Sequence, residues 1–242
     1  MSAWMPWVVA KKEFKVTRRK KSIMVYLVGL PFLMAVAFSL LVQNDVANAS
    51  LSSATLGLAL LTFIFVILAA VLPTSIAAYS IVGEKVEKSL EPLLATPTTD
   101  GELLLGKTIG AFVPAIAATL GGSLVFMAAT DYFTYNTLSY YYFPSWIPGI
   151  TLLVVAPLAA IMGIEVAVIL SSRVSDVRGA NQLAGLMWIP FMTVFIAGVE
   201  GAISFDVATL LVISAVVGIA DLVLFFLSRA IFNREEILTK WK

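Results

Sequence analysis

The chain alternates between long apolar stretches and shorter polar connectors. Six stretches, 23–42, 56–82, 109–129, 147–170, 183–199 and 207–227, are each near the roughly 20 residues that a helix needs to cross about 30 Å of hydrocarbon. None shows the strict alternation of a strand, and an open sheet edge does not persist in lipid. The pattern therefore predicts an all-α membrane protein with six transmembrane helices. Pro31, Pro73, Pro114, Pro157 and Pro190 lie inside these stretches, where each predicts a kink whose freed carbonyl a neighbouring helix must satisfy.

Two shorter patterns complete the outline. Before the first stretch stand Trp4, Trp7, Ala10 and Phe14, the last three spaced i, i+3, i+7 on one helical face, with Lys12 and Glu13 pointing elsewhere. This predicts an amphipathic helix lying in the interface, closed by the Arg18–Lys21 run that anchors at anionic headgroups, so that 1–21 forms one interfacial element. The basic cluster comes late and the apolar run after it is long enough to span, which reads as a first span rather than a cleaved signal peptide. The second pattern is 83–107, the only long polar connector. Val86, Leu90 and Leu93 fall at i, i+4, i+7, with Glu84, Lys88 and Glu91 opposite and Glu84 and Lys88 spaced for an ion pair. Pro92 breaks this helix at Glu91 and is placed to open a second short one, which Pro97 ends. The ridge is too small to be a domain, so it packs either on the bundle's own ends or into a partner.

Charge placement sets the expected orientation. Of the 16 basic residues, seven precede the first span, three lie between the second and third, two between the fourth and fifth, and four follow the sixth. The other side has none, which predicts a multi-pass cell-membrane protein with both termini, 83–107 and the 228–242 tail in the cytoplasm. The outer connectors carry Asp45, Asp131, Glu200 and Asp206, and the aromatic-rich run 131–146. Its Tyr132, Tyr135, Tyr140, Tyr141, Tyr142 and Trp146 are expected to form the outer aromatic belt. Asn48-Ala49-Ser50 on that side is a formal glycosylation acceptor.

Composition excludes whole classes of function. With 60% hydrophobic and 13% charged residues and a mean hydropathy of +0.96, the chain is no soluble domain, whose charged fraction is about twice as large. Cys and His are absent, which removes disulfides, thiol chemistry, the usual zinc and haem ligands and the commonest general base. No cofactor or metal is expected in this chain, and the basic run implies no nucleic-acid partner.

One string suggests chemistry. Gly101-Glu-Leu-Leu-Leu-Gly106-Lys107-Thr108 satisfies the phosphate-loop pattern G-x-x-x-x-G-K-[ST]. A working phosphate loop follows a buried strand and needs a parallel sheet, which a connector of this length does not hold. Thr99-x-x-Glu102 is moreover a capping box, which places Thr99 at an N-cap and the string in the first turns of the third span. A helix start, not a nucleotide site, is expected.

The run Glu84-Lys-Val-Glu-Lys-Ser-Leu-Glu-Pro-Leu-Leu-Ala-Thr-Pro97, followed by Glu102-Leu-Leu-Leu-Gly106-Lys107, resembles the signature of type-2 ABC transporter permeases. Lys12-Glu13-Phe14 before the first span, Pro31 within it and 171–178 before the fifth are similar as well. The resemblance implies that 1–17 is an interfacial elbow helix and that 84–97 is a coupling helix docking on a separate ATPase subunit. Its docking residues would be Val86, Leu90, Glu91, Leu93, Leu94, Thr96 and Pro97, with Arg173 and Arg178 in a second cytoplasmic loop. It further implies a permease homodimer, bathed in membrane lipids and paired with two ATPase chains that bind ATP and Mg, acting as an exporter. Ser89 departs from the family's frequent Gly-Thr, and 200–206 is too short for the re-entrant helix pair that many members carry before the sixth span.

Two acids lie within spans. Glu165 and Asp221 each stand eight residues before an arginine, Arg173 and Arg229, and so roughly 12 Å inside the boundary. Either they serve function, facing the bundle, a cavity or a subunit interface, or they are protonated or hydrogen-bonded as interhelical glue. The first option keeps open a stand-alone secondary transporter or channel that uses both for ion coupling; a scaffold that only recruits an ATPase-like partner is a third reading. An intramembrane aspartyl protease is excluded by the lack of a Gly-x-Gly-Asp setting, since only Gly218-Ile-Ala-Asp221 is present.

Overall fold

The structure, a computed structural model, describes residues 4–46, 51–86, 99–173 and 177–231. All regular elements among them are helical: α1 (Trp4–Arg19), α2 (Lys21–Val46), α3 (Leu51–Val86), α4 (Asp100–Leu138), α5 (Trp146–Ile150), α6 (Ala156–Arg173), α7 (Val177–Gly185), α8 (Trp188–Val199) and α9 (Val207–Ile231). A π turn over Thr151–Val155 joins α5 to α6 into the fourth span, and α7 with α8 forms the fifth. Six helical segments are thus long and apolar enough to cross a membrane. The chain is all-α, as its hydropathy pattern predicts.

The helices exceed the expected spans most on either side of the polar connector. At 1.5 Å per residue, the 36 residues of α3 and 39 of α4 make rods of roughly 54 and 58 Å, well beyond a hydrocarbon core. The ends of 83–107 are therefore helical, with α3 reaching Val86 and α4 starting at Asp100. The prolines do not interrupt the rods, for α2, α3 and α4 run through Pro31, Pro73 and Pro114. Pro190 stands in the first turn of α8, where its missing N–H has no intrahelical partner to lose. The breaks fall instead at the π turn just before Pro157 and at Leu186-Met187 between α7 and α8.

At the centre lies α3, because it is apolar on all sides. Phe65, Leu68, Leu72 and Ile76 enter one core cluster with α2, α4 and α6, while Phe63, Val66, Ala69 and Ala70 enter another with α6, α8 and α9. Small residues let the backbones close up, as they do where lipid supplies no hydrophobic drive between helices. Ala156, Ala159 and Ala160 are fully buried, and a side chain at Gly163 would run into the Ala70 carbonyl. On α4, a Cβ at Gly122 would come within 2.6 Å of the Pro31 Cβ, so the proline of α2 seats in a glycine notch. By contrast only 17% and 22% of the fifth and sixth spans are buried, which leaves their outer faces to lipid or to another chain. Buried hydroxyls turn back on their own helices: Ser39, Thr62, Thr119 and Ser214 each donate to the carbonyl four residues earlier at 2.7–2.9 Å.

Opposite the basic end, side chains tie the connectors down. Ser139 caps α4 in the left-handed region, and Asp131 Oδ1 then accepts the N–H groups of Tyr142 and Phe143, both at 3.0 Å. Tyr142 is consequently buried rather than part of an aromatic belt, and burial raises its phenol pKa. Tyr132, Tyr135, Tyr140, Tyr141 and Trp146 remain exposed. Between α8 and α9, Phe205 packs edge-on against Phe63 at 5.1 Å, and Asp206 accepts from Thr209 N–H at 2.8 Å and from the Ser204 hydroxyl at 2.9 Å. The Thr209 N–H, then Ser204, holds the Asp206 carboxyl below its ordinary pKa. This short plug leaves no re-entrant helix pair in 200–206.

Because Gly163 lies against a backbone carbonyl that has no freedom to retreat, Gly163→Ala is expected to lower stability by about 1–3 kcal/mol. Gly29→Ala, with nothing within 4 Å of its added Cβ, should leave the thermal midpoint in detergent unchanged or slightly raised. Equal midpoints for the two variants would contradict this packing.

Candidate functional site: a buried lysine at the basic end

The first turns of α4 account for Gly106 and Lys107 of the phosphate-loop string by helix packing. Thr99 Oγ1 accepts the Glu102 N–H at 3.3 Å while the Glu102 carboxylate accepts the Thr99 N–H at 2.9 Å, a complete capping box. Gly106 and Gly110 stand one turn apart on the face of α4 that receives α1. A Cβ at Gly106 would fall 2.5 Å from the Val9 Cβ and 2.8 Å from the Pro6 carbonyl, and one at Gly110 would fall 2.6 Å from the Glu13 Cβ. The glycines thus serve a helix–helix crossing of the small-xxx-small kind.

Lys107, between them, points inward and is only 2% exposed. Its Nζ donates to the Ser80 carbonyl at 2.6 Å, to Ser80 Oγ at 2.8 Å and to Glu13 Oε1 at 3.3 Å. One ammonium therefore joins α1, α3 and α4, and its geometry suits what three donors on a point charge do well. The neighbouring Lys20, at the corner between α1 and α2, lies 2.8 Å from the ring centroid of Tyr79, the residue before Ser80. In a phosphate loop this lysine would be aimed at a nucleotide; here it is spent on protein oxygens.

The packing face of α1 differs from the one its aromatic spacing marks. Trp7 and Phe14 are exposed, whereas Val9, Ala10, Glu13 and Thr17 are buried. Glu13 and Ser80 are the participants that sequence reasoning missed. The available signal was Gly106-x-x-x-Gly110, which marks a close approach to α4 but not its partner. Of the expected docking residues, Leu90, Glu91, Leu93, Leu94, Thr96 and Pro97 lie outside the described residues, and Val86 closes α3. Arg173 is the last residue of α6, and Arg178 is exposed at the start of α7.

Glu165 on α6 and Asp221 on α9 are both buried, on helices that pack together. Glu165 Oε2 and both Asp221 oxygens have no hydrogen-bond partner among the described residues. Interhelical glue through a hydroxyl or carbonyl is not formed at those three atoms. Among the described residues no three His, Cys, Asp or Glu side chains group as metal ligands.

A family profile described as ABC-2 family transporter protein matches residues 7–233, nearly the whole chain. The chain belongs to the ABC-2 transporter family. None of the curated proteins compared with it matches. Membership agrees with the resemblance carried by the 84–107 motif, and with the six apolar helices it makes the chain a multi-pass membrane protein of the ABC permease kind. The match starts within α1 and ends just past α9, so α1 is part of the ABC-2 unit rather than an appendage to it.

Glu13→Gln would leave the Lys107 ammonium buried without its counter-charge. A loss of about 3–5 kcal/mol is expected from breaking one side of a buried pair, read as a fall in the thermal midpoint of the purified chain. The same purified chain, without a partner, should show no saturable binding of a fluorescent ATP analogue; saturable binding abolished by Lys107→Ala would overturn the assignment of that lysine to protein contacts.

Proposed function

We propose that this ABC-2 family chain is the translocation subunit of an exporter, without ATPase activity of its own. It is driven by a separate ATP-binding subunit that docks on the connector between α3 and α4. The observation that carries this is the family match over 7–233 together with the build of that connector's base. Two helices longer than a membrane requires converge there and are tied to each other and to α1 through Lys107. A connector that only closed a loop needs no such base, whereas one that takes up a displacement does.

In this reading the basic end faces the cytoplasm, following the one-sided Lys and Arg distribution. ATP and Mg are held by the partner subunit, and the ridge of Val86, Leu90, Leu93 and Leu94 with Glu91, Thr96 and Pro97 docks on it. Arg173 and Arg178 lie at the same end for a second contact. Two permease chains pair with two ATPase chains, and the weakly buried fifth and sixth spans offer the lipid-facing surface on which the chains meet. ATP-driven closure of the ATPase pair then favours one arrangement of the spans, provided both arrangements contact the connector differently.

A second reading is supported by one observation, the unpartnered oxygens of Glu165 and Asp221. Buried acids without partners between two spans serve an ion- or proton-coupled step.

Leu90→Asp and Leu93→Asp are each expected to abolish co-purification of the ATPase subunit from native membranes, while leaving the chain's own thermal midpoint within about 0.5 kcal/mol equivalent of wild type. Undiminished co-purification would remove the connector from the docking role. If Glu165→Gln with Asp221→Asn halts ATP-driven transport without loss of ATPase assembly, the acids belong to the translocation path.

A further inference from the structure

We infer that Lys107 is a positioning residue that passes displacement of the α3–α4 connector to α1, and through α1 to the first span. The inference rests on the permease reading above and adds a route to it.

Distance along the rods makes the case. Ser80 lies six residues before the end of α3 and Lys107 seven after the start of α4, so the clamp sits about 9–10 Å from each end of the connector. Any displacement of the connector reaches the clamp along the last turns of α3 and the first turns of α4, where Val82, Leu103 and Leu104 are already packed in apolar clusters. Had Lys107 bonded only α3, the connector's two legs would be joined and α1 would be held to them by the glycine notches alone. Its contact with Glu13 brings in α1 as a third member.

Nor is α1 able to slip along α4. The Pro6 carbonyl and the Val9 side chain fill the Gly106 notch, and the Glu13 methylenes fill the one at Gly110, so sliding by one residue would set side chains against backbone. Interfaces of this kind hold or shift in discrete steps rather than deform smoothly.

From α1 the route to the membrane is a single residue. Only Lys20 separates α1 from α2, its N–H still donating to the Thr17 carbonyl at 3.0 Å and its own carbonyl accepting from Met24 at 3.1 Å, so the corner is hydrogen-bonded on both sides. Lys20 also lies over Tyr79, tying the corner to the turn of α3 that holds Ser80. Glu13, Lys20, Tyr79, Ser80 and Lys107 thus join α1, the start of α2, the end of α3 and the start of α4 as one block beneath the connector.

The test uses the whole permease–ATPase complex, and the absence of native cysteine makes labelling clean. Trp7→Cys on α1 and Phe226→Cys on α9, both exposed, carry spin labels, with labelled chain diluted in unlabelled chain. The distance between them is measured without nucleotide and in an ATP-trapped state. In the otherwise wild-type complex the distance shifts on trapping, and in Lys107→Met the shift should fall to less than about half, as expected if α1 no longer follows the connector. The Glu13→Gln, Lys107→Met double variant separates transmission from stability. It buries no unpaired charge, so it should regain the thermal midpoint that either single change loses, yet still fail to shift. A wild-type shift in the double variant, with the ATPase bound, overturns the inference while leaving the permease reading intact. Failure of the unsubstituted chain to co-purify with any ATPase overturns both.

Discussion

Everything at the basic end depends on a dehydrated ammonium. Lys107 is 2% exposed at the start of a membrane helix, a place where a charge persists only if its donors are fully used. The Ser80 carbonyl and hydroxyl and the Glu13 carboxylate meet that requirement, and in doing so fix how α1, α3 and α4 meet. Replacing such a pair with well-packed apolar groups often costs nothing in stability. What the pair supplies here is registry: bonds of 2.6, 2.8 and 3.3 Å to a single nitrogen fix where α1, α3 and α4 meet, together with the glycine notches between α1 and α4.

The two ends of the bundle solve opposite problems. Away from the basic end, the connectors are closed by neutral packing and backbone capture: Asp131 takes two N–H groups, Phe205 plugs against Phe63, and Asp206 caps α9. The Asp131 and Asp206 bonds stay within their own connectors, while Phe205 reaches across to α3 through apolar contact alone. The basic end instead links residues 27 and 94 positions apart. Capped connectors at one end and a charged clamp joining three helices at the other make the two ends unlike, and in the proposed reading the clamped end is the one that carries displacement.

How much was legible follows from the range of each interaction. The six spans were readable because a 20-residue apolar run has few alternatives, and the capping box because Thr99 and Glu102 are three residues apart. The lengths of α3 and α4 were not, since polar residues past the membrane carry no sign of whether the helix continues. The aromatic spacing of α1 placed Trp7, Ala10 and Phe14 on one face, whereas the structure exposes Trp7 and Phe14 and buries Ala10 with Val9, Glu13 and Thr17, a packing face that shows only with α4 opposite it. Tyr142 was misplaced for a related reason, because five exposed aromatic neighbours share its composition and the groups that draw it inward, Asp131 and the Thr55 carbonyl, lie 11 and 87 residues away. The long-range partners of Lys107 could not be derived from periodicity at all.

The buried charges of this chain fall into two kinds, and the difference bears on function. Lys107 and Glu13 are paired and hydrogen-bonded, so their burial is explained by the structure they hold together. Glu165 and Asp221 are similarly buried, yet three of their four oxygens have no hydrogen-bond partner among the described residues. A structural role would be served better by a serine or threonine bonded to its own helix, as Ser214 is two turns earlier on the same face of α9. Leaving acids unsatisfied in an apolar bundle is costly, and such a cost persists where a proton, an ion or a cationic group visits the site. In the readings proposed above, the clamp and the acid pair divide the work, one set of buried charges fixing where force enters the spans and the other marking where a charge passes between them.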